Sequence, residues 1–225
     1  MLTSTDPATV RDDPVADTRY RFRRKQLIDA AVRVMQRTGY HQMSMQALAT
    51  EAGVSTGLAY KYFSGKEAVL EAAITGILED FRDEIQPAFK AAGSDPVDRL
   101  AAGFRRYLDI IDANIPAVVL TYRESGTLSP DGRDRLKELE VETAAPLREL
   151  LTDGIARGVF APVNADLVVF NLLLIAQSWA LKHWHFRESH TLDEYYREQL
   201  YLIFPGLIAP DRRDDYAHYL EPTER

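Results

Sequence analysis

Two serines, Ser44 and Ser55, each stand directly ahead of a short run of helix-forming residues. A hydroxyl in that position accepts a hydrogen bond from a backbone N–H of the first turn and caps the helix. Between the two runs, Ala52 is small enough for two helices to approach and Gly53 takes a positive φ without penalty. Val54 plugs the corner, and Leu48 and Ala49 give the first run its packed face. Thr56, Gly57, Leu58, Tyr60 and Lys61 follow Ser55, on a helix whose N-terminal dipole is left facing outward. Tyr62 and Phe63 read as apolar anchors back to the core. A short helix, a glycine turn and a second short helix form the helix-turn-helix layout. Its chemistry is non-covalent: hydrogen bonds, methyl contacts and ion pairs to nucleic acid.

Other chemistry finds little support. The chain has no cysteine, which removes disulfides, thiolate metal sites and cysteine nucleophiles. His183 and His185 are two apart, so on a helix they point to different faces and cannot chelate one metal together. No P-loop, Rossmann fingerprint or HExxH motif occurs. The expectation is a protein that is not an enzyme and uses no cofactor or metal.

Charge is unevenly spread. Between Thr18 and Lys66 lie nine basic residues (Arg19, Arg21, Arg23, Arg24, Lys25, Arg33, Arg37, Lys61, Lys66) and two acidic ones, Asp29 and Glu51. That segment carries +7 in a chain of net −7, which leaves −14 for the rest. A cationic module on an acidic body suits a protein of which only one end meets phosphate; a cluster on a solvated helix is the plainer reading. Hydrophobic residues make up 46% of the 225, enough for a sizeable core. The most apolar stretch, Leu167 to Leu181, is short and interrupted by Asn171, Gln177 and Ser178, so no membrane span is expected. The acidic start lacks the features of a signal peptide, and with the missing cysteines this fits the cytoplasm.

The elements that must position these residues are all helical. Residues 1–17 read as a disordered tail. From Thr18, the positions Phe22, Leu27, Ala30, Ala31, Val34 and Met35 mark one helical face, stopped by Gly39. Helices follow at about 45–52 and 56–62, then a fourth from the Ser64–Glu67 capping box until Pro87 bends or breaks it. The fifth runs from Asp95-Pro96 to about Asn114, the sixth from Pro116 to about Glu124, and the seventh from Ser129-Pro130 to Gly158 with a kink at Pro146. Asn164 caps an eighth to about Phe186, and a ninth covers about Leu192 to Phe204. From Asp211 onward a polar tail is expected, with Tyr216, Tyr219 and Leu220 able to dock a last short turn.

The run Ala52-Gly53-Val54-Ser55, then Gly57, Tyr60, Tyr62-Phe63 and Lys66-Glu67, resembles the TetR family of repressors. Departures are Ala59, where that family usually has Leu, and Leu58, where a small polar residue is frequent; they bear on operator sequence. The resemblance implies an all-α protein. A three-helix helix-turn-helix DNA-binding domain (18–66) precedes a helical ligand-binding and dimerisation domain (67–210), with a polar tail at 211–225. It implies double-stranded operator DNA, a small-molecule effector and a second copy of the chain as partners. By position it makes Thr56, Gly57, Leu58, Tyr60 and Lys61 the recognition-helix contacts. Leu58 would touch a thymine methyl, and Thr56 a base or a phosphate. Tyr60, Lys61, Ser44, Gln46 and Lys66 would hold phosphates, and Arg19 to Lys25 would add backbone or minor-groove contacts. Tyr60 also reads as a core tyrosine. Ser55 remains the cap of the recognition helix.

The eighth helix is apolar almost all round, from Leu167 to Leu181. It is either one buried core helix or half of a dimer seam, as the last two long helices are in the resembled family. The resemblance also places a pocket among helices five to eight. Its candidate lining residues are Phe104, Tyr107, Tyr122, Arg123, Asn171, Trp179 and His183. The stretches Leu120 to Gly126 and Trp179 to Trp184 are similar to family members that answer acyl-CoA thioesters. A helical adaptor or DNA-architectural protein, its C-terminal core filled, is the competing reading.

Overall fold

The computed structural model describes residues 14–221, and they are almost wholly helical. Contacts divide the chain into two compact units that meet in sequence at Val69 and Leu70. The first unit holds α1 (Pro14–Thr38), α2 (Met45–Glu51), α3 (Thr56–Tyr62) and the first turn of α4 (Lys66–Ala91). The expected tail at 1–17 lies outside the described residues up to position 13. Its last four positions are helical, because Pro14 has the fixed φ of a first helical position. Leu27, Ala30, Ala31 and Met35 are buried, as the pattern implies, but Phe22 is 62% exposed and is not part of that face.

The second unit contains the rest of α4, then α5 (Pro96–Ala113), α6 (Ile115–Glu124), α7 (Pro130–Ala156), α8 (Ala165–Leu181), a single turn α9 (His183–Phe186) and α10 (Leu192–Leu207). A 3₁₀ segment, Pro210–Tyr219, follows α10. Caps set several of these starts: Asp95 accepts from Val97 N at 2.8 Å, Asn164 from Leu167 N at 3.0 Å, and Thr191 and Glu194 form a capping box. α8 packs on α5, α6 and α7, and α10 packs on α5. Among the described residues there is no strand; a single antiparallel bridge pairs Phe160 with Ile208.

Three expected boundaries move. α4 does not stop at Pro87. Asp83 and Pro87 are on the exposed side, where the carbonyl freed by the missing N–H meets water, while Phe81, Ile85 and Phe89 keep the buried stripe going. α8 ends at Leu181 rather than near Phe186, because Lys182 leaves helical geometry at φ −117°. α10 runs past Pro205 to Leu207, and the Pro205 carbonyl accepts from Arg213 Nη2 at 2.5 Å. The polar tail from Asp211 is ordered to Tyr219: Tyr216 donates to Asp95 at 2.7 Å and Tyr219 to Asp98 at 3.0 Å, so the segment straps the start of α5.

Close helix approach depends on one glycine in particular. A Cβ on Gly103 of α5 would sit 2.2 Å from the Phe89 ring of α4, which is itself buried. Phe81 of α4 and Tyr107 of α5 stack at 3.8 Å nearby.

Candidate nucleic-acid interface and interior cavity

Ser44 caps α2, its hydroxyl accepting from Ala47 N at 3.1 Å, and Ser55 caps α3, accepting from Leu58 N at 3.2 Å. Gly53 has φ +66°, the left-handed geometry that the corner requires. Gly53-Val54-Ser55-Thr56-Gly57 has the spacing of a nucleophile elbow, but that device needs a strand before the serine. Here the serine follows a helix and its oxygen serves as a cap.

The helical period of α3 sorts its residues. Ala59 and the following Phe63 are buried, and Leu58 and Tyr62 are half-buried. Gly57, Tyr60 and Lys61 are exposed on the outward side, and Thr56, in the first turn, is half-buried. Tyr60 is 54% exposed, which removes the core reading of that residue. A Cβ on Gly57 would meet nothing within 4 Å, so the backbone there is open to close approach. Gln46 of α2 is also exposed.

The cations of this unit are not equivalent. Arg37 and Arg33 donate to the Glu51 carboxylate at 2.6 and 2.9 Å and tie α1 to α2. Those two guanidiniums hold the Glu51 carboxyl well down, to about 2. Lys66 is half-buried, donates to the His41 carbonyl at 3.2 Å and lies 4.8 Å from the centre of the Tyr40 ring. It therefore supports the loop after α1 as well as carrying charge. Arg24 lies over Phe63, and Tyr20 stacks on Tyr62 at 4.9 Å, joining the basic start of α1 to the end of α3. Arg19, Lys25 and Lys61 are exposed.

In the second unit, α4, α5, α6, α7 and α8 border a cavity of about 40 Å³. Ile74, Ile77, Leu78 and Phe81 of α4, Ile111, Val118 and Leu136 make its apolar wall; Thr121, Tyr122, Glu140 and Gln177 make its polar side. Tyr122 and Glu140 are exposed residues, so this side opens to solvent. Gln177 accepts from Tyr122 OH at 2.5 Å and donates to Tyr107 OH at 3.3 Å. Burial pushes the Tyr107 and Tyr122 hydroxyls and the Glu140 carboxyl above their ordinary ranges.

Of the candidate lining residues, Tyr122 lines the cavity and Tyr107 reaches it through Gln177. Phe104 is buried and stacks on Tyr196 at 6.0 Å. Trp179 is buried, its indole N–H donating to Asp112 at 2.7 Å, and it packs with His183, Phe186 and Tyr195. Phe104, Trp179 and His183 are thus not among the cavity-lining residues, and Arg123 and Asn171 are solvent-exposed. Glu140 and Gln177 also line the cavity, and no motif in the sequence marks either; Gln177 stands there only as an interruption of an apolar run.

Residues 27–73 match the family model of bacterial regulatory proteins of the tetR family. Residues 93–199 match that of the tetracyclin repressor-like C-terminal domain. The chain is 33% identical over 205 residues to the HTH-type transcriptional regulator HbdR of Aromatoleum sp. (strain CIB), spanning 91% of this chain and 85% of that one. Among solved structures, the fatty acid degradation regulator FadR from Bacillus halodurans superposes with a TM-score of 0.66 at 24% identity, covering 78% of this chain and 93% of that one. AibR in complex with isovaleryl coenzyme A and operator DNA superposes at 0.69 with 20% identity, covering 81% and 98%. These two share the fold. The domain matches and the relative along nine-tenths of the chain give one answer: this protein belongs to the TetR family and is a DNA-binding, helix-turn-helix transcriptional regulator, not an enzyme.

Proposed function

We propose that this protein is a cytoplasmic, homodimeric repressor that leaves a palindromic operator when a small organic effector, an acyl-CoA thioester, enters the second unit. The observation that carries this reading is the cavity with an apolar wall and a polar, open side, bordered by α4, whose first turn belongs to the DNA-binding unit. Apolar walls with a few polar groups suit an acyl group. The solved relative AibR, whose complex holds isovaleryl coenzyme A and operator DNA, supports the ligand class.

Ser44, Gln46, Thr56, Tyr60, Lys61 and Lys66 hold the duplex in this reading, with Gly57 admitting the backbone and Leu58 at its edge. Arg19 to Lys25 lie on a continuous helix. A helix about 10–12 Å across does not enter a minor groove about 6 Å wide, which favours phosphate contacts for this segment. Leu167, Phe170 and Leu174 form an exposed apolar stripe on α8, and Tyr201 and Leu202 are exposed on α10. A second copy covering these stripes gives the two-fold symmetry that a palindrome needs. At about 40 Å³ the cavity is too small for a whole acyl chain, so a bound effector spreads its helices. A tilt of α4 then alters the separation of the two recognition helices, about 34–36 Å for successive turns of DNA.

The test is selection of operator fragments from random duplex DNA by the purified protein, then titration of the complex with isovaleryl-CoA and longer acyl-CoAs. Release at micromolar thioester is expected. No change in DNA affinity and no thermal shift with any of them would overturn the acyl-CoA reading.

A further inference from the structure

The polar side of the cavity offers more than a plain hydrocarbon group can use. Gln177 engages both ends of its amide, accepting from Tyr122 and donating to Tyr107. The Thr121 hydroxyl is committed to the Ala117 carbonyl of its own helix at 2.9 Å. One Gln177 amide hydrogen remains as a donor. Glu140 is the acceptor on the same side, and its charge acts on both the Tyr107 and Tyr122 hydroxyls. No hydrogen bond or ion pair holds Glu140 among the described residues, and burial alone accounts for the raised affinity of its carboxyl for a proton.

A group entering this corner meets an acceptor, Glu140, and a donor, Gln177, together. A methyl end satisfies neither, and pressing it against a half-shielded carboxylate adds desolvation without a partner. A carbonyl only accepts and an ammonium only donates; a hydroxyl does both. The volume, about 40 Å³, fits a hydroxyl with the carbon that bears it, since one water needs about 10–15 Å³ on this kind of measure. We propose that the cavity selects an effector whose acyl group carries a hydroxyl, which donates to Glu140 and accepts from Gln177. This rests on the cavity being the effector site.

The test is calorimetric titration of the full chain with hexanoyl-CoA and with its 3-hydroxy, 5-hydroxy and 6-hydroxy forms, repeated with the four free acids. At least one hydroxy form is expected to bind about tenfold or more tightly than its parent, since a site built around a hydroxyl rejects the analogue lacking it. Glu140→Leu is expected to abolish or reverse that ratio, and Glu140→Gln to reduce it. A partly unfolded variant binds less of both ligands and leaves their ratio unchanged, so the ratio reports on the contact itself. Equal affinities in the unaltered protein, or a ratio that survives Glu140→Leu, overturn the proposal. Hydroxyl preference among the free acids without thioester binding supports it and removes the acyl-CoA reading. No binding by any of the eight overturns both.

Discussion

Glu51, at the end of α2, accepts from Arg37 at 2.6 Å and Arg33 at 2.9 Å, both on α1. The contact pairs two of the nine cations of the basic segment with one carboxylate and joins two helices. It also makes the unit acid-sensitive. The Glu51 carboxyl falls from an ordinary 4.5 to about 2, so its stabilisation is complete above pH 4.5 and is lost as pH falls towards 2. Glu51→Gln is expected to melt at a lower temperature than the unaltered protein at pH 6, with the gap closing between pH 4.5 and 2. Thermal melts followed by circular dichroism across that range check it; a gap independent of pH would remove Glu51 from this role.

Lys61 stands exposed beside Tyr60 on the outward side of α3. Lys61→Ala is expected to weaken binding to every duplex alike and to flatten the plot of log affinity against log salt by about one unit, the signature of one lost phosphate contact. Fluorescence anisotropy at four salt concentrations measures the slope. An unaltered slope takes Lys61 out of the interface.

Gly103 leaves no room for a methyl against Phe89. Gly103→Ala is expected to destabilise the second unit by about 1–3 kcal/mol, the usual cost of overpacking a filled core. Gly76, also mid-helix but with open space where its Cβ would be, is the control: Gly76→Ala is expected to be neutral or stabilising. Urea midpoints of the two variants give the comparison.

Leu174 is 54% exposed on the apolar stripe of α8. Leu174→Glu puts an unpaired charge into the proposed seam and is expected to yield monomer at micromolar concentration. Because the position is open to solvent within one chain, that monomer keeps its helical circular dichroism spectrum. Sedimentation velocity reads the outcome, and a fully dimeric variant would move the seam elsewhere.

Release of DNA by an effector is reciprocal. If isovaleryl-CoA lowers operator affinity about 100-fold, the operator lowers isovaleryl-CoA affinity by the same factor, roughly 2.7 kcal/mol. Titrating isovaleryl-CoA with and without saturating operator measures the coupling. Equal affinities for a ligand that occupies the cavity would leave DNA binding independent of it.

The helix-turn-helix was legible because local rules wrote it: a serine cap on each short helix and a left-handed glycine between them. The all-helical class was legible for the same reason. The cavity was less so. Whether Trp179 meets a ligand or Asp112 depends on a residue 67 positions away, and no spacing along α8 encodes that. Aromatic residues drew attention as ligand contacts, yet Phe104 and Trp179 found each a neighbour in the core, while Gln177 acquired its role only when α5 and α6 brought tyrosines to both ends of its amide. Pro87 misled in the other direction: its effect depends on which side of α4 faces water.

The strap formed by Pro210–Tyr219 has a consequence for biosynthesis. Tyr216 and Tyr219 close onto Asp95 and Asp98, each across 121 positions of sequence. Closing a loop of that span costs entropy that the contacts must offset. A nascent chain can assemble the DNA-binding helices while the ribosome is still adding α7. The start of α5 has its own cap in Asp95, but a chain ending ahead of Tyr216 keeps that cap and lacks the strap.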